Sequence, residues 1–297
     1  MSEALISICI PAYNASKFIA ETLESVKKQT YSQWELIVVE DGSLDGTKEI
    51  VEVFSKEVTQ SVRYLLNEKN LGLTTTRNVA AKAARGEWIA LLDSDDLWHE
   101  SHLADLIKTS VNQPDCLLIH SGSILFDSES GKVLSERAPT NEDIEQFPIS
   151  LFQMNYIIQP SSVMIAYKLF KATGGSNTEF RYAEDIEFWF RIAKKGYKFA
   201  FTGRNTCYYR KHAGAITTKV LELTVETARV YDENQDWETI PKKIKRRLAS
   251  EAWLSAARLY KKNNKSLAVK YILKSLQYQI TLKHLIHFAL IQLSPTL

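Results

Sequence analysis

Over its first 92 residues the chain alternates between strand-like and helix-like periodicity, and this restricts the fold more than any other feature. Residues 5–10, 35–39, 62–66 and 88–92 are short apolar runs of the kind that form buried strands. Between the first two, residues 16–29 carry Phe18, Ile19, Leu23 and Val26 at helical spacing, with Ser16 placed as a cap. Asp45 is placed to cap a second helix carrying Ile50, Val51 and Val53. Residues 74–84 form an alanine-rich third helix ended by Gly86. Strands and helices alternating at this pitch are joined by helical crossovers. The expectation is an α/β fold, a Rossmann-like, mostly parallel sheet with flanking helices.

The later chain is more mixed. Residues 116–120 and 161–166 read as strands, and residues 123–133 as a hairpin around DSESGK. Residues 184–194 read as a helix, and residues 198–201 and 206–210 as short strands. From about residue 218 glycine and proline become sparse. Four helical segments follow, at 218–234, 241–262, 264–279 and 281–293. The expected division is a main domain over 1–217, with halves at 1–98 and 99–217, and a helical C-terminal appendage over 218–297.

Composition excludes some classes. Lys plus Arg number 37 against 35 Asp plus Glu, so no basic excess recommends a nucleic-acid partner. Cys9, Cys116 and Cys207 are far apart without metal-type spacing, and are expected to be reduced core thiols. The start lacks the basic region of a signal peptide, and no apolar run has the ~20 residues of a membrane span. A cytoplasmic location is expected, with peripheral contact at the inner membrane face as an option.

The chemistry gathers where strands end. In an open α/β sheet, ligands bind outside the carboxyl ends of the strands. The first strand runs into PAYNAS (residues 11–16), the second into EDGSLDG (residues 40–46) and the fourth into DSDD (residues 93–96). Crowded carboxylates repel unless a cation joins them. An Asp-x-Asp turn offers hard oxygen ligands suited to Mg²⁺ or Mn²⁺ shared with substrate phosphates. The structural alternative is that Asp95 or Asp96 caps a helix near His99. A dinucleotide fingerprint and a P-loop are both absent from the sequence.

Four ordered stretches resemble the family-2 inverting glycosyltransferases. They are SICIPAYNASKFIAETLESVKKQTYSQWELIVVEDGSLDGT, NEKNLGLTTTRNVAAKAARGEWIALLDSDDLW, YAEDIEFWFRIAKKGYK and YYRKHAG, spanning about residues 4 to 215. The resemblance implies the nucleotide-diphospho-sugar-binding fold called GT-A. It implies that Pro11, Ala12, Tyr13 and Asn14 meet the nucleoside, with Tyr13 able to stack on the base. Asp41, beside Glu40, matches the acid that binds the base, typically uracil. Arg77 matches a basic nucleotide contact, and Asp93 with Ser94 the ribose or sugar side. Asp95 matches the metal ligand on the diphosphate. His212 matches the histidine that closes over the diphosphate or joins the metal. After that histidine the sequence departs from the pattern, with Gly214 and Ala215 where polar residues are usual and Thr217 displaced. Each position keeps a plainer alternative: a packed loop aromatic for Tyr13, an Asx turn for Asp41, a solvated arginine for Arg77 and a strand-end histidine for His212.

Asp185 matches the carboxylate that removes the acceptor proton, with Glu184 as the alternative base and an N-cap as the structural reading. Gln159 and Ser161 are placed to reach sugar hydroxyls, while Pro160 and Ser162 read as strand-edge structure. Gly174-Gly175 matches a flexible turn ahead of the base. Residues 241–297 are basic and amphipathic. They suit either an anionic membrane or packing on the catalytic domain or a second subunit as a homodimer.

The resemblance implies a metal-dependent inverting transfer from a nucleotide-diphospho-sugar, a UDP-sugar by preference, to a glycan or lipid-linked acceptor in surface polysaccharide synthesis. A nucleotidyltransferase and a non-catalytic nucleotide-sugar or glycan-binding protein of the same fold stay open as alternatives.

Overall fold

The computed structural model describes residues 4–214 and 218–292. Strands β1 (Ile6–Ala12) and β2 (Trp34–Glu40) are buried at every position, as strands covered on both faces must be. They alternate with helices α1 (Ile19–Lys27), α2 (Thr47–Ser55) and α3 (Leu73–Lys82) and continue into β3 (Val62–Leu66) and β4 (Trp88–Leu91). All pairings among these four strands are parallel. Side-chain alternation then sorts the core. Ile6, Ile8 and Ile10 face α1 and α2, while Cys9 faces the opposite layer with α3.

The second half is mixed. The elements β5 (Leu97–Trp98), α4 (His102–Asn112), β6 (Leu118–Asp127) and β7 (Val133–Arg137) come first. Short helices α5 (Asn141–Glu145) and α6 (Ile149–Phe152) follow, then β8 (Val163–Ala166), α7 (Tyr167–Thr173), α8 (Glu184–Lys194) and β9 (Phe199–Lys211). The sheet order is β3-β2-β1-β4-β8-β6-β9-β5, with β7 against β6. Pairings of β4 with β8, β6 with β7 and β8, and β5 with β9 are antiparallel, while β6 and β9 pair in parallel, so the sheet is all-parallel in its first half and mixed in its second. The two strands expected at 198–201 and 206–210 are one strand, β9, which follows β6 through register shifts at Gly122.

Helices α9 (Val220–Glu233), α10 (Lys242–Tyr260), α11 (Lys265–Tyr278) and α12 (Leu282–Gln292) complete the chain. The first two are joined to the main body: Val230, Tyr231, Trp237, Ile240 and Ala249 belong to the same apolar cluster as Phe188 and Phe190 of α8. Trp253, Leu254, Ala268 and Ile272 form a separate cluster between α10 and α11. Among the described residues, no helix is long and apolar enough to cross a membrane. Cys9, Cys116 and Cys207 are buried and unpaired.

Candidate active site

The carboxyl ends of β1, β2 and β4 open into a crevice of about 940 Å³. Pro11, Ala12, Tyr13 and Asn14 line it from the first strand, Asp41 from the second, and Asp93, Ser94 and Asp95 from the fourth. His212 and Gly214 close one side. Arg77, Gln159, Ser161, Glu184 and Asp185 do not line it. The expected contacts of Ala215 and Thr217 lie outside the described residues.

Tyr13 is 53% exposed, so its ring is free to meet a planar ligand. Asn14 takes the left-handed φ of 50°, which its short polar side chain tolerates, and its N–H donates to Ser43 Oγ at 2.9 Å. Ser43 in turn donates to Glu40, which is buried and carries one unpartnered carboxylate oxygen. Burial raises the Glu40 carboxyl above its ordinary range.

Asp41 is buried and accepts three hydrogen bonds. Asn67 Nδ2 and the Leu71 N–H reach Oδ1 at 2.9 and 2.8 Å, and the Gly72 N–H reaches Oδ2 at 2.8 Å. The loop that supplies these donors depends on Gly42. With φ at +78°, a Cβ there would fall 2.6 Å from the Lys69 carbonyl carbon. Asp41 is therefore no local Asx turn.

The acidic turn is shared between structural and open carboxylates. Asp96 is buried, accepting from the Arg210 N–H at 2.9 Å and from Ser161 Oγ at 2.6 Å. Burial and then the neighbouring Asp95 and Asp93 hold its carboxyl well above the usual value. Neither Asp95 nor Asp96 caps α4, whose N-cap is Ser101. The antiparallel β5–β9 pairing brings the end of β9 beside the turn, and His212 Nε2 lies 2.8 Å from Asp95 Oδ2. The His212 ring packs on Phe18 at 4.7 Å between centroids.

A carboxylate oxygen and an imidazole nitrogen fit a divalent ion whose other positions are filled by diphosphate oxygens. Among the described residues, no three such side chains form a self-sufficient cage.

Ser161 requires a correction. Its hydroxyl accepts from the Asp93 N–H at 3.0 Å and donates to Asp96, and it is 1% exposed. Both roles are taken inside the protein, so this side chain braces the acidic turn and is not available to a sugar. Gln159 is only partly buried, and its carbonyl holds the turn into β8 through Ser162. Ser16 is a second correction: α1 begins after Phe18 with no side-chain cap, and the Ser16 N–H instead donates to Asp45 Oδ2 at 2.8 Å. Asp45 also accepts from Thr47 at the start of α2, joining the first two loops.

Arg77 is not a solvated helix arginine. It is buried, with Nη2 donating to Asp93 Oδ1 and Nη1 to Glu184 Oε1, both at 2.6 Å. Its guanidinium ties the acidic turn to the head of α8. Burial raises the Glu184 carboxyl to about 7 despite the opposing pull of Arg77. Burial likewise raises Asp185, again opposed by Arg77. Asp185 lies in the first turn of α8, where the cap residue is Ala183, and its Oδ1 accepts from the Ile186 N–H at 2.8 Å. It is therefore not the N-cap. Arg181 and Tyr182, immediately before α8, do line the crevice.

The backbone ahead of α8 is held by a residue the sequence did not single out. Glu226 Oε2, on α9, accepts from the N–H groups of Arg181, Tyr182 and Ala183 at 2.9, 2.7 and 3.0 Å. Three successive N–H groups around one oxygen make an anion nest filled from another helix. The Gly174-Gly175 turn is also held. Asn78 bonds both ways to Ser176, and Arg191 donates to the carbonyls of Thr173 and Gly175. It is a braced turn, not a loose one.

Known proteins resemble this chain in sequence and in fold. Residues 7–164 match the family model described as glycosyl transferase family 2, and residues 88–283 match glycosyl transferase family group 2. TuaG of Bacillus subtilis, a glycosyltransferase whose name assigns it to teichuronic acid biosynthesis, is 30% identical over 231 residues, 77% of this chain and 88% of its own. WfaP of Escherichia coli is named a UDP-Glc:α-D-GlcNAc-diphosphoundecaprenol β-1,3-glucosyltransferase. It is 28% identical over 230 residues, 76% of this chain and 85% of its own. The structure of Staphylococcus aureus TarS 1–349 with UDP-GlcNAc superposes with a TM-score of 0.70 at 19% identity, covering 92% of this chain and 81% of that one, which shows the GT-A fold. The chain belongs to glycosyl transferase family 2.

Proposed function

We propose that this glycosyltransferase moves a sugar from a UDP-sugar to a hydroxyl of a lipid-linked glycan, with inversion and with a divalent metal, in the building of a surface polysaccharide. The observation that carries the reading is the crevice in which Asp41, the Asp93–Asp95 turn and His212 meet, with Arg77 joining that turn to the head of α8. The relation to WfaP supports the donor and acceptor classes.

In this account Tyr13 stacks on the base and Asp41, with its loop, receives the base edge. Asp95 and His212 would hold Mn²⁺ or Mg²⁺ on the diphosphate. Such an ion, when bound, neutralises the charge that builds on the leaving group. Asp185 takes the proton of the acceptor hydroxyl as its oxygen attacks the anomeric carbon from the face opposite the nucleotide. The bond to the diphosphate oxygen breaks, its electron pair leaves with UDP, and the configuration inverts. Asp93, fixed by Arg77, orients the ribose or sugar side. Residues 1–217 form the catalytic unit, and 218–297 support it.

The test is transfer from UDP-glucose and other UDP-sugars to a synthetic GlcNAc-diphospho-lipid, with the product anomer read by NMR. An inverted glycoside that forms about a hundredfold or more slowly with Asp185→Asn supports the account. A retained anomer, or full activity in that variant, refutes it.

A further inference from the structure

Helix α12 packs inward through His284 and Ile291, which are 3% and 1% exposed, with Phe288 partly buried between them. Its outward side is no more polar. Leu282, Leu285, Ile286 and Leu290 are between 42% and 74% exposed, and Ala289 is exposed with them. At ~100° per residue these five positions cover an arc of about 140° on the face opposite the packed one. Lys283 and His287 fall on one flank of this arc. Ile280, just before the helix, is 70% exposed as well. A contiguous apolar stripe on a water-facing helix marks an interaction site.

Charge selects its occupant. From residue 252 to the end the chain has seven Lys and Arg and no Asp or Glu. Lys274 is paired with Asp232 of α9, but Arg258, Lys283 and Lys261 stand close enough to His287 to disfavour its protonation, adding to the larger effect of its burial. A second copy of this chain meeting the same face would oppose basic residue to basic residue. An anionic bilayer complements both features, taking the leucines at the acyl boundary and the lysines at the headgroups.

We infer that α12 lies on the surface of an anionic phospholipid bilayer, with Leu282, Leu285, Ile286 and Leu290 entering the interface and the surrounding basic residues meeting the headgroups. The helix lies on the membrane and does not cross it. This inference is independent of the transfer reaction, since vesicle binding requires no donor sugar.

The experiment is flotation of the full chain with vesicles of phosphatidylcholine alone and of phosphatidylcholine with phosphatidylglycerol. It is repeated at high salt and with Leu285→Asp/Ile286→Asp and, separately, Lys283→Glu. Both exposed sites tolerate charge, and circular dichroism confirms folding. The expected result is binding to the anionic vesicles only, about tenfold or more weaker in the double variant and weaker also in high salt and in Lys283→Glu. Failure to bind anionic vesicles at low salt overturns the inference. So does binding that neither variant changes, or a dimer in sedimentation that the double variant splits without any vesicle binding.

Discussion

Arg77 of α3 and Glu184 of α8 meet at 2.6 Å in the protein interior, 107 residues apart in the chain. The pair, extended by Asp93, sets the donor side of the crevice against the helix that carries Asp185. Removing one partner of a buried pair strands the other charge. Arg77→Ala is expected to lower stability by about 3–5 kcal/mol, read from denaturant midpoints. Arg77→Lys keeps the charge but cannot fork to two carboxylates, and should fold yet retain only part of its activity. Wild-type stability in both variants would show that the pair holds nothing.

The same arginine sets a pH dependence. A general base works ionised, and burial raises Asp185 above the ordinary carboxylate range while Arg77 pulls it down. The acidic limb of kcat should therefore lie above the ordinary aspartate range, with rate rising as pH rises through it. Arg77→Lys, which moves the cation, should shift that limb to higher pH. Asp185→Asn should abolish the limb and cost about 10²–10⁴ in rate.

Glu226 offers a prediction about α9. It touches the backbone at Arg181, Tyr182 and Ala183, not the reacting atoms, so it acts by position. Glu226→Ala should cut kcat by about ten- to a hundredfold with little change in the donor KM. Glu226→Gln, which keeps an acceptor oxygen, should recover most of it. Equal falls in both variants would point to lost charge and not lost positioning.

Gly42 tests the proposed base pocket. Alanine there meets the Lys69 carbonyl carbon and the Asn70 nitrogen, at 2.6 and 2.8 Å, in a left-handed backbone. Gly42→Ala should cost about 1–3 kcal/mol and displace the loop that supplies the Leu71 and Gly72 N–H groups to Asp41. UDP binding by calorimetry should weaken with it.

Ser161→Ala distinguishes bracing from sugar contact. Loss of the hydroxyl leaves the buried Asp96 carboxylate and the Asp93 N–H short of a partner, at about 1–3 kcal/mol. A lowered melting temperature with unchanged choice among UDP-sugars is expected.

What the sequence disclosed follows from the range of each interaction. The strands β1, β2 and β4 and the helix α8 announce themselves because local periodicity and burial agree there. The four C-terminal helices do so for the same reason. The strand β5 has two residues, too few for any pattern, yet its pairing with β9 brings His212 to Asp95. Ser161 was misassigned because a serine beside a strand reads alike whether it faces a ligand or a buried aspartate. Glu226 was invisible because an acid on an amphipathic helix looks like solvated surface until the helix docks. Arg77 was found through the family resemblance, but its bridge to Glu184 exists only in the fold.

The acidic turn is proposed to bind a UDP diphosphate through a metal. Its most direct test is calorimetric titration of UDP, GDP and CDP into the wild type and Asp95→Ala, with and without Mn²⁺. The account predicts UDP binding that needs Mn²⁺ and is lost in Asp95→Ala. Binding of UDP that is equally tight without metal and in that variant, or no binding of any diphosphate, would contradict it.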